Sequence, residues 1–160
     1  MIQRILIFLS KQELHSFDLD GNRTVYPVST AKNGSGQLEG SFCTPLGYHI
    51  VKHKIGHQLS RDTVFEARTP QIKSFTEARY LAEPDEDWIL SRILWLSGCE
   101  PGFNRLGEVD SKNRYIYIHG TPDQEPIDRP LSHGCIRMRC DDVITLFDQT
   151  PIYTQVQIQN

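Results

Sequence analysis

Apolar positions in this chain fall in short runs separated by turn residues, a pattern that predicts strands more often than helices. Ile5–Leu9 is the first run and Leu14–Leu19 the second, joined through Ser10–Glu13, with Asp20-Gly21-Asn22 as the next turn. Thr24–Ser29 reads as a third strand. Ala31–Gly40 holds Asn33, Gly34, Ser35, Gly36 and Gly40, a composition that predicts a loop. Thr44-Pro45-Leu46-Gly47 then enters a strand over Tyr48–Lys52.

Residues 58–87 are polar and mixed, with a short helix predicted near Phe75–Leu81. Asp87–Leu96 fits either helix or strand, because its apolar residues leave no polar face beyond Ser91 and Arg92, and Gly98 closes it. Arg114–His119 alternates, with Tyr115, Tyr117 and His119 on one face and Ile116 and Ile118 on the other. That reading puts His119 at the end of a strand, where a scaffold can aim a side chain into a cleft. Pro122, Pro126 and Pro130 stiffen Thr121–Leu131 and forbid regular structure there. The strongest helix signal follows Met138: Asp141 and Asp142 suit an N-terminus, and Val143, Leu146 and Phe147 fall at i, i+3, i+4. Pro151 ends it, and Ile152–Ile158 alternates as a last strand. The sum is a mainly-β fold with few helices.

Length and charge narrow the class. The 160 residues suit a single domain over 1–160, with 38% hydrophobic and 23% charged residues, as in globular domains. A formal net charge of −3 with no basic stripe gives no electrostatic case for nucleic acid or an anionic membrane as partner. The Ile5–Leu9 run is shorter than a membrane span or a signal-peptide core, and it is better used as the first strand. The expectation is a cytoplasmic protein; a periplasmic one whose leader was removed is the alternative. Cys43, Cys99, Cys135 and Cys140 are scattered, so free thiols are expected rather than a disulfide framework.

Candidate chemistry concentrates in Ser132-His133-Gly134-Cys135-Ile136-Arg137-Met138, read with His119-Gly120-Thr121 upstream. A thiol is a weak nucleophile until an imidazole takes its proton, so Cys135 with His119 or His133 forms a candidate acyl-transfer pair. Gly134 suits a tight turn at which backbone N–H groups of Gly134 and Cys135 converge on an oxyanion. In an extended segment His133 and Cys135 share a face, which makes His133 a rival base to His119. Arg137 suits a substrate carboxylate, or equally an ion pair with Asp141 or Asp142. Ser132 is expected to hydrogen-bond the turn. His49, His53 and His57 recur at intervals of four, but that spacing gathers ligands only on a helix, and here the residues predict strand and loop, so no metal or other cofactor is assigned. Cys140 with His133 as a zinc pair is likewise set below a buried structural thiol.

His119-Gly120-Thr121, the proline-punctuated loop and Ser132–Arg137 together resemble the signature of the YkuD-type L,D-transpeptidase catalytic domain. The resemblance extends to Val28-Ser29-Thr30 and Thr44-Pro45-Leu46-Gly47 and covers nearly the whole chain. It implies a β-sandwich-like sheet carrying a catalytic cleft, and a buried strand over Asp87–Leu96. It also implies Cys135 as nucleophile, His119 as base and the Gly120 carbonyl as the group that fixes the histidine tautomer. His133, Tyr117, Thr121, Ser132 and Arg137 then shape the substrate pocket. The partners implied are peptidoglycan tetrapeptide stems or muropeptides, attacked at the carbonyl of the third, diamino-acid residue with loss of terminal D-alanine. A cytoplasmic member would use water as acceptor, as an L,D-carboxypeptidase; a periplasmic one would use an amine, as a transpeptidase. A non-catalytic muropeptide-binding module and a zinc protein are the readings from other classes. Cys135 is expected to be the most electrophile-sensitive of the four thiols, held toward its thiolate by His119 and local dipoles.

Overall fold

The computed structural model describes residues 1–160. Strands β1 (Ile2–Phe8), β2 (Glu13–Asp18) and β3 (Arg23–Pro27) form the first antiparallel meander. β4 (Gly47–Ile55) follows the loop, and then come two short strands, β5 (Val64–Glu66) and β6 (Thr69–Pro70). Helix α1 (Glu77–Ala82) lies where a short helix was expected, capped by the Thr76 side chain. β7 (Ile89–Gly98) is the buried strand, and β8 (Tyr117–Thr121), β9 (Ile136–Arg139), α2 (Cys140–Gln149) and β10 (Gln155–Gln159) complete the chain.

All ten strands belong to one sheet in the order β3-β2-β1-β10-β4-β7-β5-β6, with β8 pairing β7 and β9 pairing β8. β7 is the hub. It pairs antiparallel with β4 and with β8 through overlapping residues, so these two lie on its opposite edges. The expected sandwich is thus a single sheet curled upon itself. Its concave side is filled by one continuous cluster running from Ile5 and Ile7 through Leu94 and Leu96 to Ile118, Ile136 and Met138. Val143, Leu146 and Phe147 project the apolar face of α2 into that cluster, as their spacing foretold.

Several strand boundaries depart from the sequence pattern; β4, for one, runs on to Ile55 instead of ending at Lys52. β1 starts at Ile2, because Ile2 already joins the core. β8 starts at Tyr117 rather than Arg114 and runs on through Gly120 and Thr121, which pair in parallel with Met138 and Arg139 of β9. Ahead of it, Asp110 accepts from the backbone N–H of Asn113 and of Arg114 and closes a turn in which Tyr115 has φ +56°. Tyr115 therefore leaves the alternation and is exposed, and His119 sits in the middle of its strand, not at the end. At the other end, Tyr153 has φ +70° and the Thr154 hydroxyl bonds the Pro151 carbonyl, so the last strand begins at Gln155 instead of Ile152.

The three histidines at intervals of four are dispersed by the strand. His49 is buried between the Gly47 carbonyl and the Ser111 hydroxyl, and burial pushes its imidazole down to about 4. His53 packs on Trp95 and His57 on Phe147. No helix is long and apolar enough to cross a membrane.

Gly120 marks the closest approach within the sheet. A Cβ there would lie 2.7 Å from the Leu90 carbonyl oxygen and 3.0 Å from Cys140 Sγ. Gly120→Ala must therefore push β8 away from β7, and overpacking of this kind costs about 1–3 kcal/mol. Urea denaturation should show that loss at an unchanged m-value; full stability in the variant would mean that β8 does not pack this tightly on β7.

Candidate active site

β8 and β9 are parallel neighbours in the register Ile118↔Ile136 and His119↔Arg137. Ile118 and Ile136 both point into the main core. By the two-residue period of a strand, His119 and Arg137 point to the reverse face, joined by Tyr117 and by Cys135 just ahead of β9. The Tyr117 N–H lies 3.4 Å from Cys135 Sγ, which fixes that adjacency. Cys135 and His119 are thus diagonal neighbours on one sheet face, a separation that aromatic side chains span. The sixteen-residue interval between them is closed by the sheet rather than by local geometry.

Cys135 is partly buried and packs against the cluster of Phe65, Ile93 and Tyr117. Besides the Tyr117 N–H, its close polar contact is the Tyr115 carbonyl at 3.3 Å, to which the thiol donates. Burial pushes the thiol up to about 12. His119 is fully buried, and burial lowers its pKa, partly offset by the charge of Asp87 and by the Gly120 carbonyl. The resting pair is therefore a neutral thiol beside a neutral imidazole. The stored thiolate expected from the sequence is opposed by desolvation of the sulfur. His119 Nδ1 lies 2.8 Å from the Gly120 carbonyl, so Nδ1 carries the proton and Nε2 is left as the basic nitrogen.

The turn bearing Cys135 is held by residues far away in sequence. Ser132 Oγ donates to the Cys135 carbonyl at 2.6 Å and accepts from the Gly134 N–H at 3.2 Å. Gly134 has φ +132°, and a Cβ there would come 3.2 Å from the Cys43 carbonyl oxygen. The Gly134 carbonyl accepts from Thr44 Oγ1 at 2.9 Å, and Thr44 Oγ1 in turn accepts from the Ala31 N–H. The Thr30 carbonyl accepts from the N–H groups of Leu131 and Ser132, while Ser29 and Arg137 exchange backbone bonds. Ser29-Thr30 and Thr44 are thus the cradle of the nucleophile turn. Because the Gly134 N–H is already engaged by Ser132, Cys135 keeps the freer N–H of the two expected oxyanion donors.

His133 does not share a face with Cys135. The segment bends at Gly134, and the ring is exposed, near Asp87 Oδ2 (3.4 Å) and edge-on to Phe42. It forms the wall between a cavity of about 610 Å³ lined by Lys32, Asn33, Phe42 and Ser132, and one of about 170 Å³ reaching Thr121, Glu125 and Arg137. Arg137 is only 8% exposed, and its guanidinium meets Asp87 Oδ1 at 2.6 Å. The expected partners Asp141 and Asp142 are out of play: α2 carries Asp141 to Arg61 instead. Tyr117 is buried, with its hydroxyl accepting from Arg68, and Thr121 is buried in β8. Cys140 is a buried thiol against the Thr121 carbonyl, and all four cysteines are free.

Two features were not visible in the sequence. Asp87 lies just ahead of β7 and joins the site only because β7 and β8 are paired. The loop 121–131 is pinned less by its prolines than by Arg139, whose Nη1 reaches the carbonyls of Pro122, Asp123 and Glu125.

The sequence matches a known family. Residues 2–158 match YkuD, the L,D-transpeptidase catalytic domain, and the chain belongs to that family. It is 30% identical over 157 residues to YcfS of Escherichia coli strain K12, described as a probable L,D-transpeptidase, covering 98% of this chain and 43% of that protein. In fold it is similar to L,D-transpeptidase 3 of Mycobacterium tuberculosis, solved with a faropenem-derived adduct, at TM-score 0.60 and 16% identity over 98% of this chain and 59% of that one. An Enterococcus faecium L,D-transpeptidase gives TM-score 0.58 and 15% identity over 99% of this chain and 50% of that one. The chain thus spans about two-fifths of the curated relative and half or slightly more of these structures.

Thr44→Val removes one hydroxyl and almost no volume. It leaves the Gly134 carbonyl and the Ala31 N–H without their partner, a loss of about 1–3 kcal/mol for a buried group. The variant should remain folded by circular dichroism, melt lower and react at Cys135 more slowly. An unchanged reaction rate would show that Thr44 does not hold the turn.

Proposed function

We propose that this chain is a cysteine acyl-transfer enzyme of peptidoglycan stems that works as an L,D-carboxypeptidase, trimming tetrapeptide to tripeptide in the cytosol. The observation that carries the reading is the shared sheet face of Cys135 and His119, with His119 Nδ1 tied to the Gly120 carbonyl. Rotation of the thiol off the Tyr115 carbonyl turns its proton toward Nε2. As Sγ bonds to the carbonyl carbon of the third residue, His119 accepts that proton. The oxyanion faces the Cys135 N–H, a donor commonly worth about 3 kcal/mol. Collapse of the tetrahedral intermediate breaks the C–N bond, and His119 returns the proton to the departing D-alanine amine. Water, deprotonated by the same imidazole, then attacks the thioester carbonyl; the C–S bond breaks and His119 returns the proton to Sγ.

Water is favoured over an amine acceptor because Arg139 fixes the loop along one side of the site, and Arg61 ties that loop to α2 through Asp123 and Asp141. The cavity on that side, about 170 Å³, is small for a second stem peptide. Four free thiols suit a reducing compartment. A non-catalytic binding module has no use for an imidazole oriented in this way.

Incubation with a tetrapeptide muropeptide should yield tripeptide and free D-alanine, with little cross-linked dimer even at high substrate. Cys135→Ala should abolish turnover, His119→Ala should cost nearly as much, and His133→Ala should be milder. Cell fractionation should find the protein in the cytosol. Dimer as main product would make it a transpeptidase, and binding without turnover would make it a recognition module.

A further inference from the structure

Asp87 occupies a position that the reaction described above does not use. It ends the exposed stretch Pro84-Asp85-Glu86 and precedes Trp88, which is buried and anchors the start of β7. Its Oδ1 accepts from Arg137 Nη2 at 2.6 Å, and its Oδ2 lies 3.4 Å from His133 Nδ1. One carboxylate thus clamps the strand after the nucleophile and the turn before it.

The partner it holds is the residue paired with the base. Arg137 stands opposite His119 in the β8–β9 register, on the same face, and it is buried with its Nε unpartnered. A desolvated guanidinium beside a general base opposes the imidazolium that must form when the base takes a proton. Left alone, Arg137 would cancel the purpose of His119. We propose that Asp87 is the positioning carboxylate of this site, which neutralises Arg137 and supports the imidazolium form of His119 during acyl transfer. The proposal rests on the proposed role of His119, but it makes a claim about His119 that holds without any substrate.

The charge balance around the imidazole agrees with this assignment. Burial lowers His119, the Asp87 charge raises it, and Arg137 lowers it again. Asp87 stays ionised: although burial raises its carboxyl, the charge of Arg137, hydrogen bonds from Arg137 and His133, and the charge of His119 whenever it is protonated hold it below the usual range. The other charged and titratable groups bearing on the pair are few. Cys135 and His133 come from the turn, and Arg114 faces Cys135 from the segment ahead of β8. Asp85, Glu86 and Glu125 line the adjoining cavity. Glu125 is held by the Tyr80 hydroxyl, which leaves Asp87 as the carboxylate bound to Arg137.

The test follows the His119 titration by NMR in the intact protein, in parallel with the pH profile of kcat/KM. Asp87→Asn should lower the His119 pKa, because the favourable charge is gone and that of Arg137 remains. The acidic limb of kcat/KM should then move to lower pH while the plateau falls by roughly 10- to 100-fold. Arg137→Gln, which leaves Asp87 half-exposed and able to fold against water, should move the same titration upward. Asp87→Glu should restore most of the plateau. Opposite shifts in the two charge-removing variants support the assignment, and Asp87→Ser takes the place of Asp87→Asn if that variant does not fold. A His119 titration that neither variant moves overturns it, whatever substrate the enzyme proves to use. A plateau loss in Asp87→Asn without a shifted limb would reduce Asp87 to a structural anchor and overturn it equally.

Discussion

The parallel pairing of β8 with β9 is the constraint on which the site depends. Ile118 and Ile136 are bound to the core side by their burial, and a register slip of one residue would carry every neighbour to the wrong face. With those two isoleucines fixed, His119, Arg137, Tyr117 and Cys135 have no choice but the reverse face. The hydrophobic core therefore aims the chemistry. Gly120 serves the same pairing twice: it lets β8 approach the Leu90 carbonyl, and its own carbonyl orients the His119 ring.

Electrostatics at the site follow from the depth of that packing. Cys135 is partly buried against the cluster of Phe65, Ile93 and Tyr117, and His119 is wholly buried. Desolvation acts against the thiolate and against the imidazolium alike, so a separated ion pair is disfavoured at rest. In the proposed reaction the nucleophile is made during attack, when the negative charge moves off sulfur onto an oxygen that backbone N–H groups can meet. A protonated thiol also resists adventitious oxidation better than a thiolate does. Asp87 borders both cavities beside His133 and Arg137 the smaller of them, and the lining of both is mostly polar.

The sequence made much of this legible, for identifiable reasons. Ser132–Arg137 and His119-Gly120 could be read because their chemistry is carried by contiguous residues. Ser29-Thr30 and Thr44 were visible as motifs, yet their purpose was not; only the fold shows that their backbone and hydroxyl groups hold the nucleophile turn. Alternation misled at Tyr115, where the turn closed by Asp110 breaks the strand before the pattern does. It misled again at His133, because a bend at Gly134 voids the rule that residues two apart share a face. Asp87 left no local signature, since its role arises from a pairing between β7 and β8 that joins distant segments. Arg137 was matched to nearby acids in sequence, but a helix starting at Cys140 carries them to Arg61. The β5–β6 hairpin, of three and two residues, is too short for periodicity to register.

A proposed nucleophile that is formed in the reaction rather than stored leaves Cys135 a thiol at rest. Ultraviolet difference titration of thiolate absorbance, comparing the protein with its Cys135→Ser variant across the pH range, reads that state. The two curves should coincide through neutral pH, with the Cys135 contribution emerging only at strongly alkaline pH, because burial pushes the thiol up to about 12. A thiolate signal near or below pH 7 that vanishes in Cys135→Ser would contradict it and establish a preformed thiolate–imidazolium pair.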